Sequence, residues 1–181
     1  MKLFYVIIGA TPKGRHIEQH DVFFGIANSL KELVPAMKSF WHDAQIHLDA
    51  YQEVQYVDGY KLTIVPKGQV TSSKQLFFIN LGGYKHNHFE EFHEQHLMVD
   101  TSMGKVVKRI KQTEFYKTMG FISAESHIDD KHGVDIDDLF KVTDILPQAM
   151  KDTYSIQLTP TNDSDQTNVT KIGYIKVNSI Q

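Results

Sequence analysis

The sequence predicts an α/β fold on the border with α+β: a β-α-β-β unit present twice in tandem. The two copies are expected to pack about a pseudo-twofold axis, followed by a C-terminal β-hairpin. Two matches predict the duplication. "LFYVIIG" (3–9) recurs as "LFFINLG" (76–82), offset by 73 residues. "AQIHLDAYQEVQYVDGYKLT" (44–63) recurs as "AESHIDDKHGVDIDDLFKVT" (124–143), offset by 80, so the second copy carries an insertion between the blocks. Self-similarity over a long period, in both apolar pattern and polar identity, is the mark of repeated structure. A single unit cannot cover both faces of its own sheet, which is why the copies should clasp each other. The expected boundaries are 1–66 for the first repeat, 67–75 for a linker, 76–153 for the second repeat and 154–181 for the closing strand pair.

Each element follows from local pattern. "LFYVIIG" and "LFFINLG" are short apolar runs rich in β-branched and aromatic residues, ended by glycine, and read as buried strands. A polar loop follows. Phe23, Ile26, Ala27, Leu30, Leu33, Val34 and Met37 then recur every three or four residues, which predicts a helix with one apolar face. Met98, Met103, Val106, Val107 and Ile110 predict the matching helix in the second copy, weakened by Gly104. "QIHLDA" and "SHIDD" read as short strands, and "VQYVDGYKLTIV" and "VDIDDLFKVTDIL" as longer ones. "DG" at 58–59 would ordinarily mark a hairpin turn. Its counterpart, Asp138-Leu139, does not suit positive φ, so the turns are placed earlier, at "AYQE" and "DKHG". The tail "YSIQLTP…KIGYIKV" reads as two alternating strands around a polar loop.

Composition narrows the function. The 181 residues carry a net charge of −3, which gives no general attraction to phosphate backbones or acidic membranes, so neither nucleic acid nor a membrane is expected as partner. There is no cysteine, which excludes disulfides, thiolate nucleophiles and Cys-ligated metal. The first apolar run is too short for a signal peptide or a membrane span, and a cytoplasmic location is expected. The glycosylation-like triplets at Asn162 and Asn168 are then without consequence. "GATPKGR" lacks the Lys-Ser/Thr of a phosphate-binding loop, leaving Lys13 and Arg15 as candidate anion contacts. "EEFHEQH" (90–96) has Glu-x-x-His spacing, but a di-iron bundle needs four long helices, and a solvated first turn explains it better.

The polar identities that recur are the candidate site. Glu18, His20 and Asp21 fall on Glu91, His93 and Glu94, while His47 and Asp49 fall on His127 and Asp129; Asp58, Lys61 and Thr63 also recur. If His47 ends a strand parallel to the first, its "H-x-D" reaches the carboxyl edge where open α/β sheets bind ligands. Residues two apart on a strand share a face, so His47 and Asp49 can act together. Imidazole and carboxylate suit a divalent transition metal held by His20, His47 and Asp49, or proton transfer without metal. Against this stands a structural role: His20 or Asp21 capping the predicted helix, with Glu18 favouring its positive end.

The motifs "IEQHDVFFGIA" (17–27), "IHLDAY" (46–51) and "VDGYKL" (57–62), with "FEEFHEQHLMV" (89–99) and "SHIDDK" (126–131), resemble a family of bacterial proteins, domain of unknown function 1543. The resemblance implies bacterial origin and two copies over about residues 1–150. The second copy departs from the pattern at Glu94 and Leu139. The resemblance implies no reaction, so two readings stand. One is a non-catalytic module binding a small polar ligand or a protein partner, with a homodimer compatible. The other is a metal-assisted or acid–base enzyme acting on a small polar substrate. A shared ion would require the nitrogens of His20 and His47 to lie about 3–4 Å apart.

Overall fold

The computed structural model describes residues 1–120, the backbone of 127–128, 138–162 and 167–180. In chain order its elements begin with β1 (Lys2–Ala10), β2 (Gln19–Ala27), a 3₁₀ turn (Leu30–Leu33), α1 (Val34–Phe40), β3 (His47–Val54), β4 (Tyr56–Val57) and β5 (Tyr60–Pro66). Next come β6 (Gln75–Tyr84), β7 (Glu91–Asp100), α2 (Met103–Ile110), α3 (Glu114–Thr118), β8 (His127–Ile128), β9 (Asp138–Lys141) and α4 (Val142–Ile145). The chain closes with α5 (Gln148–Thr153), β10 (Tyr154–Pro160), β11 (Val169–Lys176) and a 3₁₀ turn (Val177–Ser179). It divides into two compact units, residues 1–71 with 145–181, and residues 72–144. No helix among the described residues is long and apolar enough to cross a membrane.

The fold is mixed α/β, and every strand pair among the described residues is antiparallel. In the first unit one sheet runs β11-β3-β1-β2 and a second runs β10-β5-β4. β1 is central and buried on both faces, which is why it reads as an unbroken apolar run. Phe4, Val6 and Ile8 of β1 meet Phe23 and Ala27 of β2 and Leu48 of β3 on one face, and Leu30, Leu33 and Met37 pack over them. On the other face Tyr5 and Phe24, cross-strand partners, stack with ring centroids 4.9 Å apart. Burial pushes the Tyr5 hydroxyl well above its ordinary pKa.

The helix expected from Phe23 onward is therefore corrected. Gln19–Ala27 is a strand, paired along its whole length with β1, and helix begins only at Leu30. Phe23–Ala27 is buried on both faces, so it shows no alternation, and its apolar residues ran on without a break into the true helical period of Leu30, Leu33, Val34 and Met37. The second unit differs from expectation in the same way: Met98 lies in strand β7, and helix starts at Met103. "EEFHEQH" is accordingly strand rather than a helical turn from Glu91 on. There β6 carries β7 on one side and β8 and β9 on the other, over a core of Phe77, Ile79, Leu81, Val106, Ile110, Phe115 and Leu139.

Three further expectations change. Asp58 and Gly59 have φ of 52° and 75° and form the tight turn between β4 and β5, so the "DG" signal set aside in the sequence is the real hairpin. Asp138 instead opens β9, opposite Asn80, and Val142–Ile145 is helix rather than strand. The two tail strands do not form a hairpin: β10 pairs with β5, while β11 pairs with β3. An edge left open in each sheet of the first unit recruits one of them.

Candidate metal centre

The site is built around Gly9. In the sheet register Gly9 of β1 lies opposite His20 of β2 on one side and His47 of β3 on the other. Directly paired residues project to the same face, so both imidazoles rise over the glycine. A Cβ at Gly9 would collide with His47 Nε2 and stand 2.7 Å from Asp49 Oδ2 and 2.8 Å from His47 Cε1. Only a residue without a side chain leaves room for the rings to converge.

Glu18 lies two residues before His20 and reaches the same face. Asp49 arrives by a different device. Ile8 pairs with Leu48 but Ile7 with Ala50, so Asp49 is the extra residue of a β-bulge, re-aimed toward His47. On the other side of β3 the register breaks at the same level, from Ile172↔Ala50 to Ile175↔Leu48. Gly173, with φ of 131°, and Tyr174 occupy that break, and the Tyr174 ring stacks on the His47 imidazole at 4.4 Å between centroids.

Four side chains thus close a ring of contacts. His20 Nε2 lies 3.1 Å from Asp49 Oδ2 and 3.3 Å from Glu18 Oε2. His47 Nε2 lies 3.2 Å from Glu18 Oε1 and 3.4 Å from Asp49 Oδ1. Ligand atoms of Glu18, His20 and His47 fall within 4.8 Å of one another. His47 is buried, and its Nε2 and the Oδ2 of Asp49 are shut off from solvent without a hydrogen-bond partner of good geometry. Buried polar atoms are nearly always satisfied, so two orphans facing one point call for a ligand. Glu18 and His20 are half-exposed, leaving that side open to solvent.

The remaining candidates are placed as follows. Asp21 pairs with Ile8, one step along from His20, and its Oδ1 accepts from the Val22 N–H at 2.7 Å. Lys13 and Arg15 lie exposed in the β1–β2 loop, where the Arg15 N–H donates to the Pro12 carbonyl. In the second unit Gly82 lies opposite His93 and His127, and His93 Nε2 stands 4.0 Å from Glu91 Oε1. Glu94, one strand position beyond His93, has its Oε1 2.6 Å from His96 Nε2. The His127 side chain and Asp129 lie outside the described residues. No helix begins near Asp21 or His20, so neither can be a helix cap. The site also is not at the carboxyl edge of parallel strands: β3 runs against β1, and the cluster gathers the end of β1 with the starts of β2 and β3. Sequence reasoning missed Gly9 and Tyr174. Gly9 matches Gly82 at the offset of 73, a signal that sequence reasoning reads only as strand termination, and Tyr174 lies in the tail beyond both matched blocks.

Residues 15–64 match the family described as Domain of Unknown Function (DUF1543). Over those residues the chain is similar to DUF1543. The matched segment contains Glu18, His20, His47 and Asp49 together with the Asp58-Gly59 turn. No curated protein matches the sequence. Among solved structures, the protein Il1583 from Idiomarina loihiensis is similar over 97% of both chains, with a TM-score of 0.57 and 21% identity. That similarity establishes a shared fold.

Proposed function

We propose that this protein binds a divalent transition-metal ion between Glu18, His20, His47 and Asp49, and that the bound ion is what it uses to take up a small polar molecule. One observation carries the proposal. A tetrahedral ion with bonds of about 2.0–2.1 Å has ligand atoms about 3.3 Å apart. The four nitrogen–oxygen separations in the cluster, in which each carboxylate turns one oxygen to each imidazole, run from 3.1 to 3.4 Å and lie close to that spacing. Two carboxylates facing two neutral imidazoles balance the charge of a divalent cation. A purely hydrogen-bonded network would leave His47 Nε2 and Asp49 Oδ2 better satisfied than they are.

With four protein ligands, water or a small molecule would join the ion as a fifth ligand, and the half-exposed Glu18 and His20 are on the side from which it would enter. A bound ion there would polarise that ligand as a Lewis acid. The repeated register, with Gly82 between His93 and His127 as Gly9 is between His20 and His47, supports tandem duplication of the unit. A cytoplasmic setting fits a site of imidazoles and carboxylates in a chain without cysteine.

Calorimetric titration of chelator-treated protein with zinc and with manganese tests the proposal. Saturable binding that His47→Ala and His20→Ala each reduce, in variants that keep their melting temperature, is the expected result. Undiminished binding in both variants, or none by the folded parent, overturns it.

A further inference from the structure

Beside the metal centre lies a second feature of different chemistry. A cavity of about 560 Å³ opens between the end of α1, the segment leading into β3, and the end of β11. That is within the size range of small-molecule sites. Lys38, His42 and Lys176 line it, with the amides of Gln45 and Asn178, and no carboxylate is among its described lining residues. Lys38 Nζ donates to Asn178 Oδ1 at 3.0 Å, which sets the ammonium beside another lining residue of the cavity. Lys176 is opposite His47 in the β3–β11 register. Tyr174 is among the lining residues and its ring stacks on His47, so the cavity and the candidate metal centre share a neighbour.

We infer that this cavity binds a small anion, a carboxylate or phosphate group, between Lys38 and Lys176, with the Gln45 and Asn178 amides as further hydrogen-bond donors. Ammonium donors charge-pair with either oxyanion, and a concave wall of lysines without a competing acid concentrates such groups from solution. The cavity does not depend on the ion, so it can fill in metal-free protein. It goes beyond the metal reading by assigning a second, anion-binding site to the same unit.

The test uses the single tryptophan, Trp41, next to His42, as a fluorescence reporter of titration with inorganic phosphate and with malonate. Both metal-free and metal-loaded full-length protein are titrated, with glycerol as the uncharged control. Saturable quenching or enhancement by either anion is expected, and which anion responds identifies the phosphate or the carboxylate source. Lys38→Gln and Lys176→Gln should each weaken that response about tenfold, the loss typical of one hydrogen bond to a charged group. Lys176→Arg should keep it, and circular dichroism should show all three variants folded. An unchanged response in Lys38→Gln and Lys176→Gln, or no saturable response in the parent to either anion, overturns the inference. Binding of anion without binding of zinc or manganese would leave the cavity standing and remove the metal reading alone.

Discussion

Gly9 and His47 are cross-strand partners, and the imidazole of His47 fills the space where a Cβ on residue 9 would stand. Gly9→Ala should therefore displace the ring and weaken metal binding about 10–100-fold, the range seen when a residue that orients a ligand is lost. Because the conflict is with His47 itself, the stability cost of Gly9→Ala should shrink in a His47→Ala background. A double-mutant cycle by urea denaturation measures this coupling. Additive costs would contradict it.

Metal should also stabilise the fold. At a free ion concentration 100 times its Kd, a ligand that binds only the native state adds about 2.7 kcal/mol. For a chain of this size that raises the melting temperature by roughly 5–10 °C. Differential scanning fluorimetry with and without zinc reads the shift. It should vanish with chelator and in Glu18→Ala/Asp49→Ala.

Asn168 predicts a different kind of loss. Its Oδ1 accepts from the Gln55 and Tyr56 N–H groups at 2.7 and 2.9 Å, and its Nδ2 donates to the Tyr56 carbonyl at 2.9 Å. It pins β11 to the junction of β3 and β4. Asn168→Ala strands two partly buried backbone donors and should cost about 2–3 kcal/mol. Asn168→Asp keeps the acceptor for both N–H groups but turns a carboxylate oxygen toward the Tyr56 carbonyl, so it should recover only part of that loss, as urea midpoints would show.

Asp100 sets a pH dependence. The Thr101 N–H, donating to its Oδ1 at 2.8 Å, holds the Asp100 carboxyl below its ordinary pKa, helped by Lys74, Lys105 and Arg109 and opposed by desolvation. A carboxyl depressed in the folded state adds stability that is complete above its unfolded pKa of about 3.9 and is lost as pH falls through the folded value. Asp100→Asn should therefore destabilise at neutral pH, with the difference from the parent narrowing below about pH 4. Urea titrations across that range check the sign.

The "DG" turn gives the last expectation. Gly59 has φ of 75°, where a side chain is strained. Gly59→Ala should cost about 1–2 kcal/mol by loosening the β4–β5 hairpin, measured by thermal melting.

Glu18, His20, His47 and Asp49 stood out in the sequence through their identical matches at 91, 93, 127 and 129, and the fold brings these four side chains together. Their surroundings were less so. Phe23–Ala27 is buried on both faces, and burial erases the alternation that tells a strand from a helix. The Asp58-Gly59 turn was misplaced because the alignment at offset 80 matched it to Asp138, which lies in a strand. The bulge at Asp49 and the arrival of Tyr174 depend on register between distant segments, which no local pattern encodes.

The proposed metal centre is tested most directly by anomalous diffraction at the zinc edge from zinc-soaked crystals. The expected result is a peak about 2.0–2.2 Å from the Nε2 atoms of His20 and His47 and from carboxylate oxygens of Glu18 and Asp49. A well-ordered cluster with no peak among these four residues, at saturating zinc, would contradict it.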